Sequence, residues 1–330
     1  MCFAVVGFLA ASCFAADGDL QFAELDNFRF VSGETVAKCR LGYRTYGKLN
    51  ATKSNAILFP TWFGGKSENL AAFIGPGKQL DSGRFFIITV DALGNGVSSS
   101  PSNSTGTFPR FTIRDMVNSQ HRLLKEKLGL NHLYAVTGIS MGGMQTFEWM
   151  TAYPDFLDRA VPIIGSPKLS AIDLLLWQAQ LSIIENAQAA GGDLRAAMQG
   201  VNAVHQFALY TPEYRATHTK PEEFAALKKT LDEGAAKGPH PLDWASQLRA
   251  MMSADATHGT NLEKAAATVK ARTLVVAALQ DHMVNPLPSL EMARSGGFAV
   301  LELAGNCGHM ATSCEAGKVI AAVSEFLARP

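Results

Sequence analysis

The sequence predicts an α/β fold, in which helices cover a mostly parallel central sheet and a helical lid is inserted. Short apolar runs alternate with helix-like stretches up to residue 164, which is the pattern of βαβ units. The alternation stops at Ser166-Pro167 and resumes at Thr273, and the Ala-, Gln-, Leu- and Met-rich stretch between them indicates helices. A Gly-x-Ser-x-Gly motif begins at Gly138, directly after an apolar run. The predicted core strands are 56–59, 85–90, 133–136, 160–164, 273–278 and 298–303.

The N-terminal segment differs from the rest of the chain. Residues 1–15 carry no charge and are almost wholly apolar, and Cys13-Phe14-Ala15 fits a small-x-small cleavage site. The run is too short to span a bilayer, so we predict a signal peptide and no stable membrane insertion. We therefore expect the protein in the periplasm or outside the cell, and in the cytoplasm if the segment is not a signal.

The predicted lid divides the core into two segments. After the leader we assign a first core segment, the lid and a second core segment, at residues 16–167, 168–267 and 268–330. The first segment opens with two strands joined by a tight turn at Ser32-Gly33, at residues 28–31 and 35–46. Predicted helices at 113–128, 144–153 and 314–328 cover the sheet.

The charge balance limits the classes of partner. Lys plus Arg and Asp plus Glu both total 29, so the formal net charge is +0. No basic face is indicated that would bind nucleic acid or anionic lipid, and a small molecule is the expected partner. The histidines lack the spacing of metal ligands, so we predict no metal. A homodimer formed through the lid is left open.

Two cysteines, Cys307 and Cys314, flank His309 closely. In an oxidising compartment a disulfide between them would hold the loop of that histidine. Two unpaired, buried thiols fit the same spacing equally well. The sequence leaves both arrangements open.

The motif from Gly138 to Gly142 predicts a nucleophile at Ser140. Such a serine lies on a strained turn between a strand and a helix, and small neighbours are needed because a bulky side chain would obstruct the turn. The apolar run before the motif and the helical pattern after it provide this context. We expect Ser140 to form an acyl-enzyme.

The acid and the base are expected later in the chain, each in a loop after a late strand. Asp281 follows the predicted strand 273–278, and His309 follows the strand 298–303. His282 is a competing neighbour, but it lies before the last strand. Ser140, Asp281 and His309 are therefore the predicted catalytic triad, in which the histidine accepts the serine proton and the aspartate orients the imidazole.

The oxyanion of the acyl-transfer intermediate requires backbone donors, each worth about 3 kcal/mol. The N–H of Met141, the residue after the nucleophile, is one predicted donor. The second is expected in the loop that follows strand 56–59, at residues 60–65.

These residues resemble the homoserine O-acetyltransferase family of α/β-hydrolase-fold enzymes. The likeness is dense from Leu41 to Ile164 and returns around Asp281 and His309. Its most specific parts are Thr112-Ile113-Arg114-Asp115-Met116-Val117 and the stretch from Gly138 to Gln145 followed by Glu148-Trp149. The resemblance implies an α/β-hydrolase fold, the same triad, and Trp62 N–H as the loop donor of the oxyanion hole.

The sequence departs from this family at the acceptor site. The family has an Asp after the histidine that meets the homoserine amine, and Met310 stands there in this sequence. The family also has an Arg on the first lid helix that holds the substrate carboxylate, and the alignment places Leu181 at that position. Neither side chain replaces a salt-bridged hydrogen bond, so recognition of a zwitterionic amino acid is expected to be lost.

The sequence thus predicts a serine hydrolase that cleaves a small acyl ester or a related acyl bond without a cofactor. The alternative is an O-acyltransferase that moves an acyl group from acyl-CoA to an alcohol, since both reactions share the acyl-enzyme. A non-catalytic binding protein on the same fold is disfavoured, because every catalytic position is filled.

Overall fold

The computed structural model describes residues 17–329, and the predicted signal peptide, 1–15, lies outside them. Within the described residues, eight strands form one sheet in the order β1-β2-β4-β3-β5-β6-β7-β8. Strand β2 is antiparallel to both its neighbours, and the other pairs are parallel. The strands are β1 Gln21–Arg29, β2 Thr35–Tyr46, β3 Ala56–Pro60, β4 Phe86–Val90, β5 Leu133–Ile139, β6 Leu157–Ile163, β7 Arg272–Ala278 and β8 Ala299–Leu303.

Hydrophobic clusters cover both faces of the sheet. Ile57 and Phe59 belong to one cluster and Leu58 to the other, because successive side chains of a strand point to opposite faces. The strands in the middle of the sheet are therefore apolar on both sides, as in parallel sheets covered by helices. The predicted fold class, a mostly parallel sheet covered by helices, is confirmed.

Two groups of helices are distinguished by their place in the chain. Those of the core are α1 Ile113–Arg122, α2 Met141–Ala152, α9 Leu287–Gly296, α10 Ala311–Cys314 and α11 Ala316–Ala328. Those between β6 and β7 are α3 Ala171–Ala189, α4 Leu194–Leu209, α5 Pro212–His218, α6 Phe224–Lys237, α7 Pro241–Met252 and α8 Leu262–Thr268. None of the helices in residues 17–329 is long and apolar enough to cross a membrane.

Some predicted boundaries were wrong. Strand β1 begins at Gln21 rather than at residue 28, and the predicted helix 113–128 ends as α1 at Arg122, followed by one π-helical turn. The predicted helix 314–328 is two helices that break at Glu315. Helix α8 packs against α2 and α9 of the core, although the predicted lid, 168–267, includes most of it. The lid boundaries stay a prediction.

Candidate active site

Ser140 lies between the end of β5 at Ile139 and the start of α2 at Met141. Its backbone has a φ of 58° and a ψ of −119°, a strained conformation for a residue with a side chain. The turn is tight, because a Cβ added at Gly138 would lie 2.2 Å from the carbonyl oxygen of Gly142. The strained turn that the Gly-x-Ser-x-Gly spacing indicates is thus present, and it holds the serine half-buried at the carboxyl end of β5.

His309 contacts both of the other predicted triad residues. Its Nε2 lies 2.9 Å from Ser140 Oγ, and its Nδ1 lies 2.6 Å from Asp281 Oδ2. The side chains of His309 and Asp281 are 7% and 1% exposed. Asp281 follows β7 and His309 follows β8, so the loops at the carboxyl ends of parallel strands bring the three groups together. His282, the competing histidine, is exposed.

The loop of His309 is held from two sides. Cys307 and Cys314 form a disulfide, which resolves the alternative that the sequence left open. The Thr211 hydroxyl, between α4 and α5, donates a 2.5 Å hydrogen bond to the carbonyl of Asn306. The histidine is therefore flanked by a covalent link within its loop and by a contact to the inserted helices.

Of the two predicted oxyanion donors, Met141 directly follows Ser140 and Trp62 lines the same cavity as Ser140. Met141 is the first residue of α2, so its N–H has no acceptor within that helix. Trp62 follows β3 in a loop whose Gly64 N–H donates to Gln247 Oε1 at 2.9 Å. Asn95 Nδ2 donates to the carbonyl of Gly65 at 3.0 Å, so the loop is held by the core and by helix α7.

Ser140 and His309 open into a cavity of about 300 Å³. Helices α3, α4 and α7 supply much of its wall, and its apolar lining includes Phe63, Ile164, Trp177, Leu248, Met251 and Met310. No Lys, Arg, Asp or Glu is among the described residues that line it. Its polar side chains other than Ser140 and His309 are Gln180, His205, Thr312 and Ser313.

Of the two predicted substrate contacts, only Met310 lies in the cavity wall. Met310 lines the cavity, whereas Leu181 does not and is instead packed in the hydrophobic core with 5% exposure. Gln180, one residue earlier on α3, lines the cavity instead. A shift of one residue turns a side chain by about 100° around the helix axis, which moves it from the core to the cavity.

Gln180 and His205 were missed as site residues by sequence reasoning. Gln180 is fully buried, and neither atom of its amide has a hydrogen-bond partner within the described residues. Burial, and secondarily the nearby His309, lowers the pKa of His205 from 6.5 to about 3, so its imidazole is neutral. In the sequence, His205 lies four residues before Leu209, a spacing that places two side chains on the same face of a helix. Both side chains line the cavity from α4.

A family model for the alpha/beta hydrolase fold matches residues 56–312. The chain belongs to this family. The match begins at β3 and extends beyond His309, so it contains the turn of Ser140, the inserted helices and both late loops of the site.

Relatives of this α/β hydrolase include hydrolases and acyltransferases. The ethyl acetate hydrolase of Pseudomonas veronii is 39% identical over 173 residues, which cover 51% of this chain and 50% of that enzyme. The chain thus spans half the length of that relative. Among solved structures, an acetylester hydrolase from Corynebacterium glutamicum has a TM-score of 0.86 at 26% identity, covering 94% of this chain and 96% of the other. Homoserine O-acetyltransferase from Bacillus anthracis has a TM-score of 0.84 at 25% identity, with 96% and 99% covered.

The resemblance to the homoserine O-acetyltransferase family is confirmed by these relatives. Both activities expected from the sequence, ester hydrolysis and acyl transfer, are represented among them.

Proposed function

We propose that this α/β hydrolase is a serine esterase that cleaves a small carboxylic ester through an acyl-enzyme on Ser140. The observation that carries the proposal is the hydrogen-bonded series Ser140, His309 and Asp281, which opens into a cavity with an apolar wall. A serine hydroxyl becomes a competent nucleophile when an adjacent base accepts its proton.

The reaction follows from the positions of these groups. Ser140 Oγ attacks the ester carbonyl while His309 Nε2 accepts its proton, and Asp281 stabilises the imidazolium that forms. The N–H groups of Met141 and Trp62 donate hydrogen bonds to the oxyanion. His309 then protonates the leaving alcohol, and the acyl group stays on Ser140 Oγ. In the second half of the reaction His309 accepts a proton from a water molecule that attacks the acyl carbon, and it donates this proton to Ser140 Oγ as the bond to the acyl group breaks and the acid is released.

The cavity wall favours water over an amino-acid acceptor. A zwitterion would require charged partners, and the wall offers the neutral amide of Gln180 and the neutral imidazole of His205 instead. The unpartnered amide of Gln180 is suited to an uncharged oxygen of a substrate. The second candidate is O-acyl transfer from acyl-CoA to an alcohol, which the likeness to homoserine O-acetyltransferase supports.

Product analysis tests this proposal. The full chain is incubated with ethyl acetate, with and without acetyl-CoA plus homoserine, and acetate and O-acetylhomoserine are quantified. We expect acetate release that depends on Ser140 and is unchanged by homoserine. Efficient, saturable formation of O-acetylhomoserine would replace the esterase with the acyltransferase.

We also propose that the inserted helices act as a lid and carry a homodimer contact. Trp177, His205 and Met251 of α3, α4 and α7 line the cavity, which supports the lid. Phe207 and Phe224 are 81% and 63% exposed and line one groove together with Tyr210 and Leu231, and a contiguous exposed apolar patch marks a contact surface. In sedimentation equilibrium we expect a dimer that Phe207→Asp converts to a monomer, and a monomeric unaltered protein would contradict this contact.

The proposed export rests on residues 1–15, outside the described part of the chain. The disulfide between Cys307 and Cys314 supports an oxidising compartment. N-terminal sequencing of the mature protein is expected to begin after Ala15, and an intact N-terminus in the cytoplasmic fraction would contradict export.

A further inference from the structure

Three buried side chains connect the nucleophile helix to the loop of Trp62. The indole N–H of Trp149 donates to Gln120 Oε1 at 2.8 Å, and Gln120 Nε2 donates to Gln145 Oε1 at 2.6 Å. Gln145 Nε2 then donates to the carbonyl of Thr61 at 3.0 Å and to that of Met141 at 3.2 Å. All three side chains are fully buried. We call these three side chains the amide relay.

Trp149 fixes which atoms of the amide relay donate hydrogen bonds and which accept them. An indole N–H of Trp149 is a donor only, so Gln120 must present its oxygen there and its NH₂ group to Gln145. Gln145 in turn must present its NH₂ group to the carbonyls of Thr61 and Met141. Reversing its amide would place the oxygen of Gln145 against two carbonyl oxygens and would leave buried groups unpaired.

The end of the relay acts on the peptide that carries an oxyanion donor. The carbonyl of Thr61 and the N–H of Trp62 belong to one planar peptide unit, which is trans. In a trans peptide the C=O and N–H bonds point in opposite directions. A donor that holds the Thr61 oxygen on one side therefore fixes the direction of the Trp62 N–H on the other.

We propose that Gln145, oriented by Gln120 and Trp149, is a positioning residue that aims the Trp62 N–H at the oxyanion. This rests on the proposed function, in which that N–H stabilises the tetrahedral intermediate. Gln145 also donates to the carbonyl of Met141 in the first turn of α2, so one amide links the Trp62 loop to the start of the nucleophile helix. Its contribution is geometric, since Gln145 is not among the described residues that line the cavity.

The variant Gln145→Met tests this proposal, because methionine has a similar length and donates no hydrogen bond. We expect kcat for p-nitrophenyl acetate to fall by about 10- to 100-fold with KM nearly unchanged, as expected when an oxyanion donor is misplaced. The inhibition constant of a boronic acid, which forms a tetrahedral adduct on Ser140, should rise by the same factor. The matched control is Thr146→Val, since that buried hydroxyl donates to Gly142 within the same helix.

A double variant distinguishes a loss of kcat caused by breaking the hydrogen bonds of the amide relay from one caused by a general loss of packing. Trp149→Phe keeps an aromatic ring and removes the N–H that sets the direction, so we expect a smaller loss of kcat. If the three side chains act as a unit, Gln145→Met combined with Trp149→Phe loses no more kcat than Gln145→Met alone. Trp149→Phe also carries the test if Gln145→Met yields little folded protein.

The outcomes are distinguishable. A kcat of folded Gln145→Met within about 3-fold of the unaltered protein, or a loss carried by KM alone, overturns the positioning role. Equal losses in Gln145→Met and Thr146→Val also overturn it. An unaltered chain that hydrolyses no acyl ester, with no fluorophosphonate label on Ser140, overturns the proposed function and the positioning role with it.

Discussion

Asp281 divides its two carboxylate oxygens between His309 and its own loop. Oδ2 lies 2.6 Å from His309 Nδ1, and Oδ1 accepts the backbone N–H groups of Met283 and Val284 at 2.8 and 2.9 Å. The two backbone donors fix which oxygen faces the loop. The orientation of the carboxylate toward the histidine is therefore set by the chain immediately after it.

Replacing Asp281 with Asn should keep the fold and remove most of the activity. The asparagine oxygen is expected to remain on the loop N–H groups, so its NH₂ group would face His309 Nδ1. That arrangement favours the tautomer with the proton on Nε2, which cannot accept the serine proton, and kcat should fall by about 10⁴-fold. Ester kinetics and circular dichroism check this, with His282→Ala as the control that stays active. Loss of activity in His282→Ala, but not in His309→Ala, would assign the base to His282.

The variants Ser140→Ala, Asp281→Asn and His309→Ala should not be additive. Ser140→Ala is expected to lower kcat by about 10⁴- to 10⁶-fold, and a second change at either partner should add little, because the three residues act as a unit. Steady-state kinetics of the single and double variants measure this. Near-additive losses, or fluorophosphonate labelling of Ser140→Ala at the rate of the unaltered protein, would show that the assignment is wrong.

The acceptor can be tested by placing charges on the cavity wall. Gln180→Arg together with Met310→Asp should introduce measurable acyl transfer to homoserine. The new charges would form salt bridges with the carboxylate and the amine of homoserine, and such contacts in a closed site favour this acceptor over water. Leu181→Arg with Met310→Asp is the matched control, and it should lower Tm without creating transfer, since Leu181 lies in the core. Acyl transfer by the control but not by the Gln180 variant would show that position 181, and not position 180, contacts the acceptor.

The disulfide between Cys307 and Cys314 should contribute to stability and to the order of the His309 loop. Because the cysteines are 7 residues apart, the chain-entropy model gives about 2 to 3 kcal/mol. We expect the double variant Cys307→Ser with Cys314→Ser to have a lower Tm and a lower kcat than the unaltered protein. Dithiothreitol should lower the Tm of the unaltered protein and leave the Tm of the double variant unchanged. An equal response of both proteins to dithiothreitol would contradict this contribution.

His205 should make the protein sensitive to acid. Its pKa is lowered in the fold from 6.5 to about 3, so between these pH values the unfolded chain binds a proton that the folded protein does not. The free energy of unfolding therefore falls as the pH drops through this window. In His205→Phe the decrease between about pH 7.5 and about pH 4.5, measured by urea unfolding, should be smaller. His218→Phe, at an exposed position, is the control and should keep the decrease of the unaltered protein.

The sequence predicted the parts of the site that depend on local pattern and chain order. The turn of Ser140 has a short motif, and Asp281 and His309 follow strands whose apolar runs are visible. The start of β1 was missed because Glu24 and Asp26 occupy its exposed face and interrupt the apolar run. Gln180 was missed because the cavity-facing side of α3 depends on a rotation that one residue of misalignment changes.

Close packing at the nucleophile turn separates the positions that tolerate substitution from those that do not. A Cβ would lie 2.7 Å from the Pro60 oxygen at Gly142, 2.8 Å from the Ile163 oxygen at Gly143, and 2.5 Å from the carbonyl carbon of Gly143 at Gly165. Backbone atoms cannot move aside as a flexible side chain can, so random mutagenesis should recover almost no active variants at these glycines. The side chains that α3, α4 and α7 contribute to the wall face the cavity, where a change of size meets no backbone atom of the turn. Directed evolution of the substrate range should therefore select substitutions at these wall positions.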